Sequence, residues 1–400
     1  MKLAFVVQRY GAEIAGGSEG HCRELAERLS GRHDITVLTT CASDYVTWEN
    51  AFPPGRTVER RVPVLRFPVT RPRRMKVFAD LSDEVFEGGA SRERQEEWFR
   101  ENGPETPELV EYLRAHGHEF DLVVFWTFRY YQSYFGLPVV ADRAVLVPTA
   151  EDDAAINLDV LPPFFDKPAG YMFLTPEEEQ LVSGRAYRPL LPSMVVGSGL
   201  EPVSTAGIAR ATLEALGIPQ NYLLYLGRVD RNKGCDALLE NFQEYASSRP
   251  DVALVLAGPA KMQIPSNSRI LAPGYVSNEV REALLAHARA LVVPSWYESL
   301  SIVLLEAWNH GIPALVNGRC KVLAGQVRRA NGGLYYMFPA EFDEAADFLL
   351  NRPAERDAMG RQGLAYVDRE YRWPTVLSRV ETLLQDVRRR SAPRLQNVRS

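Results

Sequence analysis

The fold is most directly indicated by the stretch VPSWYESLSIVLLEAWNHGIP, residues 293–313. It opens with the end of a short apolar run, typical of a buried strand, and a helix is predicted to begin near Ser299 or Ser301 and to end at Gly311. In open α/β sheets, ligands bind outside the carboxyl ends of the strands. Glu298, in the loop between this strand and this helix, is therefore predicted to lie at a ligand-binding edge.

The same order of short apolar runs and longer amphipathic segments recurs along the chain, which predicts βαβ units with parallel sheets. Because the pattern restarts near Tyr222, the sequence predicts an α/β protein of two Rossmann-like domains, residues 1–200 and 201–374. A last helix, residues 375–390, is expected to pack back on the first domain. Residues 75–115 hold helical sequence that a βαβ unit does not require and are interpreted as an insertion.

Composition excludes several classes of protein. The chain has 400 residues, 46% of them hydrophobic and 24% charged, which is typical of soluble globular proteins and unlike collagen-like or disordered chains. Its 46 basic and 51 acidic residues give a net charge of −5, too mild a balance to predict nucleic acid as a partner. Neither a signal peptide nor an uninterrupted apolar stretch of about 18 residues is recognised.

Cysteine usage favours a reducing compartment. The cysteines are far apart and form no CxxC pair, so neither a disulfide framework nor a structural zinc site is expected. They are Cys22, Cys41, Cys235 and Cys320. We therefore expect a cytoplasmic protein, with peripheral contact at the inner face of a membrane left open.

The start of the helix after Glu298 is suited to an anion, because first-turn amides have no partner within the helix. These amides are expected to be those of Leu300, Ser301, Ile302 and Val303. Glu306, two turns on, can accept hydrogen bonds from a pair of hydroxyls such as a ribose diol. The alternative is that Ser299 only caps the helix and that Glu298 and Glu306 are solvated surface acids.

Two further loops follow predicted strands and open predicted helices. In YLGRVDRNKG, residues 225–234, Arg228 can grip a diphosphate bidentately and Lys233 can add a point charge. In QRYGAEIAGGSEG, residues 8–20, Gly16 and Gly17 let the backbone approach a ligand. Each loop is also compatible with a plain turn, and neither matches the Walker or the dinucleotide-binding motif.

Together these segments resemble family 4 of the retaining glycosyltransferases, and the resemblance covers nearly the whole chain. Glu298 and Glu306 stand as the family's E-x7-E pair. The other matching positions are Gly227, Arg228, Lys233 and Gly234, the Gly16-Gly17 loop, Ala257-Gly258, Gly274-Tyr275-Val276 and Gly311-Ile312-Pro313. The resemblance implies the GT-B fold, in which the two Rossmann-like domains have parallel sheets that face each other across a cleft.

The resemblance also implies an activity. A nucleotide-diphosphate sugar would be bound mainly by the second domain, and a hexose-type sugar would pass to an acceptor hydroxyl held mainly by the first. Arg228, Lys233 and the helix-start amides would stabilise charge on the leaving diphosphate. Glu298 would hold hydroxyls of the transferred sugar and Glu306 the ribose. Tyr275 and Val276 would lie beside the base.

In this family, retention is commonly explained by attack on the face from which the diphosphate leaves, so that neither a protein nucleophile nor a cofactor is implied. No D-x-D triplet is present, so no metal is expected. The chain departs from the family after Ala150, where many relatives place a histidine on the acceptor side. Here Glu151, Asp152 and Asp153 follow. Glu151 replaces the histidine with help from Asp152, or the acceptor chemistry differs, or Glu151 to Asp153 are plain cap residues for the following segment.

Several questions of partner and function stay open at this stage. The eight basic residues of 56–76 stand against one acid, Glu59, which fits an anionic lipid surface, a phosphorylated acceptor or a plain arginine-rich edge strand. The acceptor is expected to be a glycan, a lipid-linked molecule or a small molecule, in glycan or glycoconjugate biosynthesis. The alternative functions are a non-catalytic nucleotide-sugar-binding protein of the same fold and a sugar phosphorylase or epimerase.

Overall fold

The structure, a computed structural model, describes residues 1–14, 16–204, 207–208, 210–249 and 251–396. The chain divides into two compact units. Unit 1 comprises Met1–Gly197 together with the chain from Leu377 onward, and unit 2 comprises Ser198–Val376.

In the described part of unit 1, the strands are β1 (Lys2–Val6), β2 (Asp34–Thr40), β3 (Gly55–Glu59), β4 (Val62–Phe67), β5 (Leu122–Trp126), β6 (Ala144–Val147), β7 (Gly170–Phe173) and β8 (Ser193–Val195). The helices are α1 (Gly17–Leu29), α2 (Met75–Phe86), α3 (Arg92–Asn102), α4 (Pro107–His116), α5 (Tyr131–Gly136), α6 (Leu161–Phe165) and α7 (Pro176–Ser183). Short 3₁₀ turns cover Gly117–Glu119, Leu137–Arg143 and Ala154–Asn157.

The strands of unit 1 form one eight-stranded sheet in the order β3-β4-β2-β1-β5-β6-β7-β8, parallel except for β3. Every residue of the central strand β5 is buried, as expected for a parallel strand covered on both faces. The core joins this strand to aromatic side chains of the surrounding helices and loops, among them Phe99, Phe128 and Phe165. The insertion expected between residues 75 and 115 forms α2, α3 and α4.

The arginine-rich stretch forms a hairpin at the edge of this sheet. Strands β3 and β4 are antiparallel, and Arg60 and Arg61 turn between them with φ of 45° and 73°. Arg66 of β4 is buried and pairs with Glu59 at 2.5 Å. The sequence of β3, GRTVE, does not alternate between polar and apolar residues, and its Val58 is exposed, so no pattern predicted this strand.

The arginines that follow the hairpin are held by one buried carboxylate. Arg71 and Arg74 pair with Glu101 of α3 at 2.8 and 2.7 Å, and Arg73 Nε donates to the carbonyl of Asn102. Burial alone would raise the pKa of Glu101, but the hydrogen bonds from Arg74 and Arg71 outweigh it and lower the pKa to about 2. These charges therefore serve contacts within unit 1, and membrane contact by this stretch stays a prediction.

In the described part of unit 2, the strands are β9 (Tyr222–Leu226), β10 (Ala253–Ala257), β11 (Ile270–Gly274), β12 (Ala290–Val293), β13 (Ala314–Asn317) and β14 (Gly333–Tyr336). The helices are α8 (Ala211–Ala215), α9 (Cys235–Ser247), α10 (Asn278–His287), α11 (Ile302–Asn309), α12 (Lys321–Ala330), α13 (Pro339–Asn351) and α14 (Pro353–Glu370), and a 3₁₀ turn covers Arg231–Lys233. A final helix, α15 (Trp373–Gln396), begins in unit 2 and continues in unit 1.

Unit 2 is a six-stranded, wholly parallel sheet in the order β11-β10-β9-β12-β13-β14. The central strands β9 and β12 are buried along their whole length and lie side by side, so their carboxyl ends meet at one edge. The predicted class, two Rossmann-like α/β domains with parallel sheets, is confirmed. This arrangement places the loops that follow β9 and β12 next to each other.

The unit 1 part of α15 packs against the sheet that the N-terminal half of the chain builds. Arg388 pairs with Asp121 at 3.3 Å, and Glu381 contacts both Arg32 and His33. All four cysteines are buried as free thiols. None of the helices in the described part of the chain is long and apolar enough to cross a membrane.

Candidate active site

The loop that carries Arg228 and Lys233 is shaped by glycine. It leaves β9 through Gly227, whose φ is 141°, and enters α9 through Gly234, whose φ is 72°. A Cβ at Gly234 would lie 2.3 Å from the carbonyl oxygen of Pro294, which follows β12. Only glycine therefore allows this loop to pack against the end of β12, close to Glu298.

Two ion pairs meet at this edge. Lys233 Nζ donates to Oε1 of Glu298 at 2.8 Å, and the two side chains are 32% and 13% exposed. Arg228 pairs with Asp230. Asp230 also accepts a hydrogen bond from the amide of Lys233 at 2.9 Å, which caps the 3₁₀ turn. The structure thus brings together Arg228, Lys233 and Glu298, and the alternative that Glu298 is a solvated surface acid is wrong.

The helix start differs in detail from the sequence-based expectation. Helix α11 begins at Ile302, so Leu300 precedes it, and the amide of Ser301 donates to Oε1 of Gln326 at 3.2 Å. The expectation of a free Ser301 amide is wrong, because Gln326, fully buried on α12, already accepts from it. Ser301 makes no side-chain capping bond. The amides of Ile302 and Val303 lie in the first turn of the helix, where amides have no partner within the helix.

Glu306 lies further along α11 and is not a solvated acid. It pairs with Arg281 of α10, a residue that the sequence analysis did not single out. Burial raises the pKa of Glu306, and the charge of Arg281 opposes that shift. No local sequence motif predicts the pair of Arg281 and Glu306, because the two residues are 25 positions apart on different helices.

Tyr275 and Val276 follow β11 at the outer end of the same edge. Gly274 turns the chain there with φ of 75°, and its carbonyl accepts from the amide of Gly258 at 2.8 Å. Tyr275 is 88% exposed and Val276 is half-buried. An exposed aromatic ring at a strand end is available for stacking, and its place beside a base stays a prediction.

In unit 1, the Gly16-Gly17 loop opens α1, but its surroundings are set by a buried ion pair. Arg9 Nε and Nη2 donate to Oε1 of Glu19 at 2.9 and 2.5 Å, and both side chains are almost fully buried. A Cβ at Gly16 would lie 2.2 Å from the Glu19 carboxylate, whereas a Cβ at Gly17 would meet nothing within 4 Å. A side chain at position 16 would thus displace the Glu19 carboxylate from its pair with Arg9, and this carboxylate stands at the helix start where the backbone was expected to approach a ligand.

The acids that were expected on the acceptor side lie in the loop after β6. Glu151 is half-buried and stands 3.7 Å from Arg129, Asp152 is exposed, and Asp153 pairs with Arg129 at 2.9 Å. Asp153 also caps the 3₁₀ turn Ala154–Asn157 by accepting from an amide. The cap interpretation therefore fits Asp153, while a role for Glu151 and Asp152 toward an acceptor stays a prediction.

Backbone strain and a buried acid hold this acceptor-side loop. Thr127 and Thr149, at the ends of β5 and β6, have φ of 66° and 46°, which is costly for β-branched residues, and Thr149 Oγ1 donates to Thr127 Oγ1 at 2.8 Å. Fully buried Glu178 accepts from the amides of Ala150 (2.7 Å) and Leu174 (2.6 Å). Burial raises the pKa of Glu178 to about 8. The sequence Thr175-Pro-Glu-Glu178 at the start of α7 fits a capping box, but it does not indicate the bond from Glu178 to the amide of Ala150 after β6.

The fold and the loops at the strand ends define the class of structure: two α/β units, each built on a largely parallel sheet. Residues 220–351 match the family model described as "Glycosyl transferases group 1". This segment contains every site residue proposed for unit 2.

Curated relatives agree with that match over part of the chain. Alpha-D-kanosaminyltransferase of Streptomyces kanamyceticus is 28% identical over 34% of this chain and 38% of its own length. A GDP-mannose-dependent monoacylated alpha-(1-6)-phosphatidylinositol monomannoside mannosyltransferase of Corynebacterium glutamicum is 28% identical over 40% of this chain and 45% of its own length. The chain thus spans less than half the length of these relatives.

Solved structures are similar over nearly the whole chain. Sucrose-phosphate synthase of Thermosynechococcus elongatus superposes with a TM-score of 0.71 at 16% identity, covering 96% of this chain and 98% of the other. HepE of Anabaena in complex with UDP gives 0.68 at 14% identity, covering 96% and 100%. At these identities the likeness shows the fold, which is that of GT-B glycosyltransferases.

Proposed function

We propose that this protein is a retaining glycosyltransferase that moves a hexose-type sugar from a nucleotide-diphosphate sugar to an acceptor hydroxyl. The observation that carries the proposal is the meeting of Lys233 and Glu298 at 2.8 Å, with Arg228 on the same loop, at the carboxyl ends of β9 and β12. The match of residues 220–351 to group 1 glycosyl transferases supports it independently.

The geometry suggests how the donor would be held. An incoming diphosphate competes with Glu298 for Lys233 and with Asp230 for Arg228, because a doubly charged phosphate group is a stronger partner for each cation. Lys233, released from Glu298, leaves that carboxylate to accept hydrogen bonds from hydroxyls of the sugar. The amides of Ile302 and Val303 add to the positive field at the start of α11.

The reaction depends on stabilising the negative charge of the leaving diphosphate rather than on a covalent intermediate with the protein. The bond from the anomeric carbon to the diphosphate oxygen breaks, the acceptor oxygen bonds to the same face, and its proton passes to the leaving phosphate. Arg228 and Lys233 stabilise the negative charge that grows on the diphosphate, which is the term that dominates many enzymes. This scheme uses no protein nucleophile, cofactor or metal.

Unit 2 would bind the nucleotide and unit 1 the acceptor. Glu306 would receive the ribose hydroxyls, and Tyr275 and Val276 would lie beside the base. In unit 1, Glu151 and Asp152 would face a glycan, lipid-linked or small-molecule acceptor. We place the activity in glycan or glycoconjugate biosynthesis in the cytoplasm, with peripheral membrane contact as an option for a lipid-linked acceptor.

The test begins with binding. UDP, GDP, ADP and dTDP are screened by thermal shift, and UDP and GDP are included because similar proteins are described with UDP and with GDP-mannose. A ligand that binds only the native state raises the melting temperature. We expect one nucleoside diphosphate to raise the melting temperature more than the others. Sugars linked to that diphosphate are then tested as donors in the turnover assay.

Turnover separates the proposal from its alternatives. Release of nucleoside diphosphate from the chosen donor should be slow with water and faster with the right acceptor. Glu298→Ala should reduce turnover far more than it weakens diphosphate binding. Binding without turnover would favour a non-catalytic nucleotide-sugar-binding protein, and a strict need for inorganic phosphate would favour a phosphorylase; either result contradicts the proposal.

A further inference from the structure

Arg281 belongs to a closed circuit of contacts among four residues that joins α10 to α11. Its Nη2 pairs with Glu306, and its Nη1 donates to Oε1 of Glu282 at 3.0 Å. Oε2 of Glu282 contacts Nε2 of His310 at 2.8 Å, and Nδ1 of His310 contacts the carbonyl of Glu306 at 2.8 Å. His310 is buried, so the circuit is fixed at its inner end.

We propose that Arg281 is a positioning residue for the nucleotide: it fixes the Glu306 carboxylate so that the remaining acceptor positions of that carboxylate receive the two hydroxyls of a ribose. This inference rests on the proposed function, because it assigns Glu306 to a nucleoside diphosphate. It adds a residue on another helix, and it makes ribose recognition depend on a pair rather than on one glutamate.

The chemistry of a carboxylate allows the guanidinium and the diol to bind at once. An ionised carboxylate offers about four lone-pair positions on its two oxygens, so one pair with Arg281 leaves room for two hydroxyl donors. The guanidinium also limits the rotation of the carboxylate, because Glu282 holds the opposite side of its planar fork. A diol would therefore meet acceptors that are already oriented.

The charge of Arg281 matters as much as its geometry. Burial favours the protonated form of Glu306, and Arg281 is the chief group that opposes it. A protonated Glu306 would lose acceptor capacity toward both hydroxyls. Replacing Arg281 should therefore weaken recognition of the ribose without touching the diphosphate or the base.

The experiment compares ribose with dideoxyribose. Calorimetry measures the dissociation constants of UDP and GDP and of their 2′,3′-dideoxy analogues for the wild-type chain, Arg281→Leu, Arg281→Lys and Glu306→Gln. We expect the wild-type chain to bind the ribose form of its diphosphate at least about tenfold more tightly, since hydrogen bonds to a charged group are strong. In Arg281→Leu that ratio should fall below about threefold, and Arg281→Lys should be intermediate.

A double variant tests the coupling of the two residues. Arg281→Leu combined with Glu306→Gln should show the same ratio as Glu306→Gln alone, because both changes disable one acceptor. Arg249→Leu is the matched control. It breaks the pair of Arg249, which follows the end of α9, with Asp347 of α13. The side chains of that pair are 35% and 31% exposed, against 30% and 21% for Arg281 and Glu306. This control should keep the wild-type ratio.

Each contrary outcome points to a different failure. If Arg281→Leu and Arg281→Lys lower the melting temperature but keep the wild-type ratio, Arg281 is only structural and the inference is overturned. If the wild-type chain binds a diphosphate but does not distinguish ribose from dideoxyribose, the role of Glu306 is overturned with it. If the wild-type chain binds neither UDP nor GDP nor the other diphosphates of the thermal screen, the proposed function itself fails.

Discussion

Two ion pairs at the starts of helices, one in each unit, are built for different tasks. In unit 1, the side chains of Arg9 and Glu19 are 7% and 6% exposed and are joined by two hydrogen bonds. Loss of either side chain would therefore leave the charge of the other buried and unpaired. In unit 2, Lys233 and Glu298 share one bond, and Lys233 is 32% exposed. The comparison indicates that an ion pair at a strand end can stabilise the fold or can be available to bind a ligand. The exposed fraction of its side chains distinguishes the two roles.

Removal of Arg9 should give the largest loss of stability. Arg9→Met leaves Glu19 buried and uncompensated, which costs about 3 to 5 kcal/mol in comparable pairs. Urea unfolding followed by circular dichroism measures the free energy of unfolding. Arg9→Met combined with Glu19→Leu should recover most of the loss, because no charge is then left unpaired. A single variant as stable as the wild-type chain would remove the contrast between the two pairs.

Gly234→Ala should come next and act on unit 2. The added methyl would need a left-handed φ and would lie 2.3 Å from the Pro294 carbonyl, so the loop of Lys233 must shift. We expect a destabilisation of about 2 to 3 kcal/mol and weaker diphosphate binding. Gly217→Ala is the control, since its φ is 70° but its Cβ would meet nothing within 4 Å. Equal losses in both variants would show that the contact with Pro294 is unimportant.

Glu178 gives a different kind of effect, a dependence of stability on pH. Its pKa is raised from 4.5 to about 8 by burial, so the native state holds a proton that the unfolded state has lost between these values. Stability should therefore fall as pH rises from about 4.5 to 8, and Glu178→Gln should flatten this slope. Unfolding at pH 5, 6.5 and 8 measures it. Glu179→Gln, on the same helix, should keep the wild-type slope, and an unchanged slope in Glu178→Gln would contradict the account.

The sequence predicted the parts of the molecule that depend on local pattern. Alternating apolar and amphipathic segments were enough for the two parallel-sheet units, and Gly227, Gly234 and Glu298 marked the loops at the ends of β9 and β12. These features can be predicted from the sequence because each depends on residues within one strand-loop-helix segment. The hairpin of β3 and β4 was anticipated only as an edge strand, since the sequence of β3, GRTVE, has no alternation of polar and apolar residues.

The remaining features depend on residues that are distant in the chain. Gln326 accepts a hydrogen bond from the amide of Ser301, which is 25 residues away in the sequence. Arg281 pairs with Glu306 at the same separation in sequence. Thr127 likewise bonds to residues at the end of the neighbouring strand, through its amide to the carbonyl of Val147 and through its hydroxyl to Thr149. No single-sequence pattern reports which side chains meet after folding, so these contacts appeared only in the structure.

The exchange of Lys233 between Glu298 and a diphosphate is tested most directly by Lys233→Met. Diphosphate release from the donor and the free energy of unfolding are measured on the same preparation, with Lys167→Met, an exposed lysine of unit 1, as control. Lys233→Met should lower turnover by about 10²-fold or more and change stability by no more than about 1 kcal/mol. Full turnover in this variant, or a loss of stability large enough to account for lost turnover, would contradict the role given to the pair.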